Sequence, residues 1–169
     1  MTVEHATQAI ILSKEPFGEA DAQVFLYTRK LGKLLARVIG ARKILSKLNS
    51  HLEPLNVVYI RLVGKNKWHI ADALKIGALP TGVLEGLNLV REIAPEEDPD
   101  PELWTLLSSG IFGKSDILRV LGFGKELAAC QLCGLRNDLK FSTAHLAYFC
   151  VNCMFPARKS VREAPPANF

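Results

Sequence analysis

The sequence predicts an α+β protein: a small N-terminal five-stranded β-barrel or sandwich, then a helical region, then a four-cysteine zinc ribbon. Three observations predict it. Short runs of alternating apolar residues fill the first 76 residues; the apolar spacing becomes helical over 77–127; and the four cysteines of the chain fall in two C-x2-C pairs within 128–155. With 49% of its 169 residues apolar and 22% charged, the composition is that of a globular chain. No apolar run approaches the roughly 18 residues of a membrane span.

The strands are justified in order. Gln8–Lys14 carries Ala-Ile-Ile-Leu. Gln23–Thr28 alternates, with Val24, Leu26 and Thr28 on one face and Phe25, Tyr27 and Arg29 on the other. Arg29–Lys33 is a turn in which Gly32 suits a positive-φ position, and Lys33–Ile39 is the third strand. A long basic connection, Gly40–Leu55, precedes Asn56–Val63, where Val58, Ile60 and Leu62 oppose Val57, Tyr59, Arg61 and Val63. Gly64–Lys67 is a hairpin turn and Lys67–Ile76 the fifth strand. Five strands in this layout are compatible with an OB-fold barrel, a fold that often binds single-stranded nucleic acid.

The middle segment reads as helices. Ala78–Ile93 carries Val83, Leu84, Leu87 and Val90 at helical spacing, and the acidic, proline-rich Ala94–Pro101 breaks it. Asp100 is placed to cap a second helix with Pro101 at its first position. Ser115 and Asp116 are candidates to cap a third, ended by Gly122 and Gly124. The ribbon follows, with its hairpin within Phe141–Phe149, and residues 156–169 are expected to form a disordered tail.

Cys130-Gln-Leu-Cys133 and Cys150-Val-Asn-Cys153 are separated by sixteen residues, which is zinc-ribbon spacing. A C-x2-C turn aims two thiolates at one point, as tetrahedral Zn²⁺ requires, and Gly134 suits the reversal after the first pair. The competing readings are disulfides or a redox dithiol. Disulfides need an oxidising compartment, and the first ten residues lack the basic start and apolar block of a signal peptide, so a cytoplasmic location is expected. Four thiolates close the coordination sphere, which marks the zinc as structural.

Charge is distributed unevenly. Residues 1–75 hold twelve Lys/Arg against six Asp/Glu, whereas residues 76–127 hold four against nine. A basic N-terminal domain points to a polyanion partner. Lys33 and Arg37 share a face of the third strand; Arg42, Lys43 and Lys47 follow in the connection; Arg61 lies on the fourth strand; Lys65 and Lys67 flank its turn. These are the candidate phosphate contacts. Tyr27 and Tyr59, beside Arg29 and Arg61, are the candidate base-stacking residues. For each tyrosine the alternative is a packing role, and for each lysine a solvated charge.

No enzyme is expected. His51-Leu-Glu53 ahead of C-x2-C is similar to the signature of zinc deaminases, but Ala129 precedes Cys130 where proline belongs, and the second cysteine pair completes the metal sphere without histidine. His5, His69 and His145 have no triad spacing.

Three stretches in order resemble the bacterial recombination mediator family RecO: Phe17-Gly-Glu-Ala-Asp21 with Tyr27-Thr-Arg29 and Leu31-Gly-Lys33; Gly40-Ala-Arg-Lys43 reaching His51-Leu-Glu-Pro54; and Ile117-Leu-Arg-Val-Leu-Gly-Phe-Gly124 leading into the cysteines. The resemblance covers residues 7–155. It implies an OB-fold, a helical domain and a zinc ribbon. It also implies binding of single- and double-stranded DNA, annealing of complementary strands, and help in replacing single-strand-binding protein with the RecA recombinase, with RecR as partner. Lys33, Arg37, Arg42 and Lys43 match the family's basic barrel residues, and the four cysteines its zinc ligands. A nucleoid-associated protein is expected. The helical segment is short for the family and little follows Cys153, which bears on docking of the single-strand-binding protein. The rival expectation is a protein-interaction adaptor, or a zinc-ribbon factor of the transcription or translation machinery.

Overall fold

The structure, a computed structural model, describes residues 3–40, 48–65 and 67–155. They fall into two compact units, Met1–Lys125 and Glu126–Phe169. In the first, strands β1 (Val3–Phe17), β2 (Asp21–Thr28), β3 (Gly32–Val38), β4 (Asn56–Gly64) and β5 (Trp68–Ala78) close a barrel in the order β1-β2-β3-β5-β4. This is the expected five-stranded OB-type architecture.

β1 is the hinge of the barrel and is twice as long as its apolar run suggests. Its first half pairs with β4, from Val3↔Gly64 to Ile10↔Val57, and its second half pairs with β2, from Ala9↔Thr28 to Phe17↔Asp21. The register shifts between Ile11 and Ser13, where such irregularity sharpens the bend. The extra residues, Val3–Thr7 and Glu15–Phe17, mix polar and apolar side chains and all but Thr7 are at least partly exposed, so an apolar run does not reveal them, while their backbones are held in the ladder. β3 meets β5 in parallel at only two positions, Ala36↔Trp68 and Arg37↔His69.

The barrel interior is filled by Ile11, Val24, Leu26, Ala36, Val58, Ile60 and Leu62, with Leu52 from the connection before β4. The alternation of β4 is therefore as expected. A second core lies on the outer face of β1 and β2, where Ile10, Leu12 and Tyr27 pack with Leu79, Val83, Leu87, Val90, Leu103, Leu107 and Ile117. β2 is thus covered on both faces, and the helices share a core with the barrel.

The helices are α1 (Leu84–Ile93), α2 (Pro101–Ser109) and α3 (Lys114–Val120). The first is shorter than the expected Ala78–Ile93: Ala78 ends β5, Pro80 interrupts, and a single tight turn at Thr81–Val83 precedes it. Leu84 is exposed and Leu89 takes the buried position. Asp100 caps α2 as expected, its Oδ1 accepting from Glu102 N at 2.8 Å and Leu103 N at 3.1 Å. Gly113, not Ser115 or Asp116, is the N-cap of α3; Asp116 reaches back from the first turn to accept from Gly113 N at 2.9 Å.

The segment between α1 and α2 is strapped to the barrel. Glu97 N donates to Lys33 O at 2.8 Å, and Asp100 N donates to Tyr27 Oη at 3.0 Å. Gly32 has φ +69°, and a Cβ there would stand 2.3 Å from Asp98 O. Both the turn and the strap therefore require glycine.

In the second unit, β6 (Leu139–Ser142) and β7 (Ala147–Cys150) form a hairpin that runs into a single helical turn, α4 (Val151–Met154). Its buried core is small: Cys130, Leu139 and Cys150, with Tyr148 and Phe149 partly covered.

Candidate metal centre and nucleic-acid interface

The four cysteines converge. Cys130 begins a tight loop in which Gly134, at φ +76°, donates its N–H to Cys130 O at 2.9 Å, while Gln131 N donates to Tyr148 O at 3.0 Å and ties the loop to β7. The second pair is not on a matching loop. Cys150 caps α4 and Cys153 lies one helical turn on, a spacing that puts both side chains on one side of the helix. All four sulfurs lie within 4.8 Å of one another, and those of Cys133 and Cys150 are 3.6 Å apart. Ligands about 2.3 Å from a tetrahedral ion stand roughly 3.8 Å apart, so the residues fit a metal ion.

Electrostatics agree with that geometry. Backbone N–H groups, that of Cys150 foremost, hold the Cys130 thiol down to about 6, whereas the neighbouring sulfurs of Cys133 and Cys150 push the Cys153 thiol up to about 12. Four thiols this close do not all ionise on their own. A divalent cation supplies the charge that lets them do so.

The candidate phosphate-contacting residues lie in different places. Arg37 and Lys67 line a concavity of about 340 Å³ with Phe17, Gln23, Leu35, Trp68, His69, Glu96 and Glu97. Arg37 is held in place there: its Nε donates to Asp21 Oδ2 at 2.9 Å, and its guanidinium lies 4.7 Å from the centre of the Phe17 ring. Lys65 is exposed on the same β4–β5 turn as Lys67. Arg61 and Tyr59 are exposed on the outside of β4, away from this lining, with Arg61 paired to Glu4 at 3.3 Å. Arg42, Lys43 and Lys47 lie outside the described residues.

Two expectations are corrected. Lys33 shares the outward face of β3 with Arg37, but the strap covers it: it is 7% exposed and its Nζ donates to Arg91 O at 2.9 Å. Burial lowers its pKa, with Glu96 opposing. Tyr27 is 1% exposed beneath the helices, its hydroxyl taken by the Asp100 backbone. Alternation along a strand identifies a face, not what a later segment lays over it. Conversely, the strand pattern does not single out Phe17. It is 39% exposed at the rim of the concavity, and its place at the head of Phe17-Gly-Glu-Ala-Asp21 is the available signal.

His51 and Glu53 serve the barrel. His51 Nδ1 accepts from Lys75 N at 3.2 Å, and Glu53 pairs with Lys14. Among the described residues no helix is long and apolar enough to cross a membrane.

Comparison with known proteins places this architecture. A family model, recombination protein O N terminal, matches residues 1–74. DNA repair protein RecO of Myxococcus xanthus is 29% identical over 180 residues, covering 90% of this chain and 74% of the relative. RecO proteins of Thermodesulfovibrio yellowstonii and Syntrophobacter fumaroxidans are each 30% identical, covering 82% and 80% of this chain. The chain spans only 64% of either of those two relatives. Residues 1–74 thus match the N-terminal model of the recombination protein O family, and the similarity to RecO proteins extends over most of the chain.

Proposed function

We propose that this protein is a non-enzymatic DNA-binding recombination mediator, acting in DNA repair in the cytoplasm and at the nucleoid. The observation that supports it best is the concavity on β2, β3 and β5, where Arg37 and Lys67 stand beside the exposed side chains of Phe17 and Leu35. Cations that hold phosphates next to apolar surfaces that receive bases are the parts of a single-strand platform. Arg37 is oriented by Asp21 and Phe17 before any ligand arrives, which lowers the ordering cost of binding.

On this reading the protein binds single- and double-stranded DNA and anneals complementary strands. Annealing needs no covalent step, because neutralised phosphates no longer keep two strands apart. With RecR and single-strand-binding protein as partners, it helps load RecA. Lys65 and Arg61 are further candidate phosphate contacts, as are Arg42, Lys43 and Lys47, which lie outside the described residues. The cysteine centre holds structural Zn²⁺: a closed set of four soft thiolates suits zinc and leaves no position for catalysis.

The test is a salt titration of single-strand binding by the full chain. Arg37→Glu with Lys67→Glu should weaken binding at low salt and reduce the slope of log K against log salt by roughly 1.4, two phosphate contacts' worth. An unchanged slope overturns the reading. The exposed Tyr59, Leu74 and Ile76 on β4 and β5 favour a second reading, an adaptor that docks on protein. Absence of strand annealing by the purified protein would select it.

A further inference from the structure

The concavity carries charge of both signs. At the end of β3 is Arg37, between Gln23 of β2 and His69 of β5. At its start is Lys33, bridged through its backbone to Glu96 and masked by the strap. Four residues of strand put the backbones of Lys33 and Arg37 about 13 Å apart, and the Glu97 side chain reaches back from the Lys33 end to Trp68. Glu96 and Glu97 line the same concavity as Arg37 and Lys67 and are exposed.

The acidic strap is built in place. Glu97 adopts φ 53°, its N–H donates to Lys33 O at 2.8 Å, and its Oε1 accepts from Trp68 Nε1 at 2.7 Å. Asp98 sits so close to Gly32 that no side chain fits between them. The Glu97 carboxylate, held by Trp68, stays in place when an anion arrives, and the backbone of Glu96 is fixed by its bridge to Lys33.

We propose that Glu96 and Glu97 make this concavity select single-stranded over double-stranded nucleic acid. A single strand sets its phosphates on Arg37 and Lys67 and turns its bases toward Phe17 and Leu35, leaving Glu96 and Glu97 without a phosphate. A duplex seated on Arg37 and Lys67 carries a second row of phosphates across its groove, and Glu96 and Glu97 line the same concavity. There it meets like charge. The selectivity is a repulsive device against the wrong ligand, not an added attraction for the right one. It rests on the proposed nucleic-acid role of the concavity.

The experiment compares the full chain with Glu96→Gln/Glu97→Gln by fluorescence anisotropy, using a single-stranded oligothymidylate and a duplex of the same length at low salt. The Glu97→Gln change retains a side-chain oxygen that can accept from Trp68. Glu92→Gln/Glu102→Gln, two exposed acids outside the concavity, matches the change in net charge. The expected result is about a fivefold gain in duplex affinity for the strap variant, with less than about twofold change for the single strand, and no such split in the control. Equal gains for both ligands, no gain for either, or the same split in the control overturns the inference. Arg37→Glu separates the two levels. If it leaves single-strand binding intact, the concavity is not the nucleic-acid surface; if it weakens binding while the strap variant shows no split, only the selectivity fails.

Discussion

In the barrel unit Leu26, Ile60 and Leu62 are buried inside the strands, while Leu87, Leu103 and Leu107 fill a second core outside them. In the cysteine unit the described buried core is Cys130, Leu139 and Cys150. Two of those three side chains are candidate metal ligands. The barrel unit thus excludes water with apolar area, and the other relies on converging sulfurs. Below about 40 residues a core of side chains seldom suffices without a metal or disulfides. The same chain therefore carries one region whose stability is spread over many contacts and one whose stability is concentrated at a point.

The largest expected effect tests that concentration. Removing the metal with a chelator should unfold the cysteine unit and leave the barrel folded, since structural zinc contributes on the order of 10 kcal/mol or more to such domains. Residue-resolved hydrogen exchange would show protection lost at Leu139 and Phe149 and kept at Ile60. Protection retained at Leu139 without metal would break the comparison. A smaller effect tests the barrel. Ile60→Ala should cost about 2–5 kcal/mol in denaturant unfolding, equally with and without chelator. A cost that depends on the metal would mean that the two units are energetically coupled.

Two cations on one face of β3 sharpen the contrast between structural and candidate functional cations. Lys33→Met should leave the salt slope of DNA binding unchanged, because a buried ammonium that donates to a carbonyl is not available to phosphate. Arg37→Met should lower that slope by roughly 0.7. The smallest effect concerns Tyr27. Burial raises its pKa above 10 in the folded protein. Its neutral form therefore contributes fully below the unfolded value and that contribution is lost as pH rises through the folded one. Stability measured against pH should fall above about pH 10, and Tyr27→Phe should remove that fall, at a cost of about 1 kcal/mol at neutral pH.

Much of this organisation is legible in the residues. The alternation of Val58, Ile60 and Leu62 identifies β4, Asp100-Pro101 marks the start of α2, and the cysteine spacing identifies the candidate metal centre, because each signal is local. Lys33 and Tyr27 mislead for the opposite reason. Their strands are recognisable, but what covers them comes from Glu96–Asp100 and the helices, more than fifty residues later. The site shows the same limit. Arg37 and Lys67 are recognisable as cations, but nothing in their neighbourhoods joins them to Phe17 or sets Glu96 and Glu97 among them.

Taken alone, the sequence determines which faces are apolar, where the proline-led helix α2 begins and which thiols can meet a metal ion, since those depend on residue periodicity and short spacing. Tertiary structure decides which outward face stays in water. The strap lies against the start of β3 because Gly32 leaves room for Asp98 and Lys33 offers its carbonyl to Glu97. That placement hides one cation, leaves another exposed, and sets two carboxylates beside it.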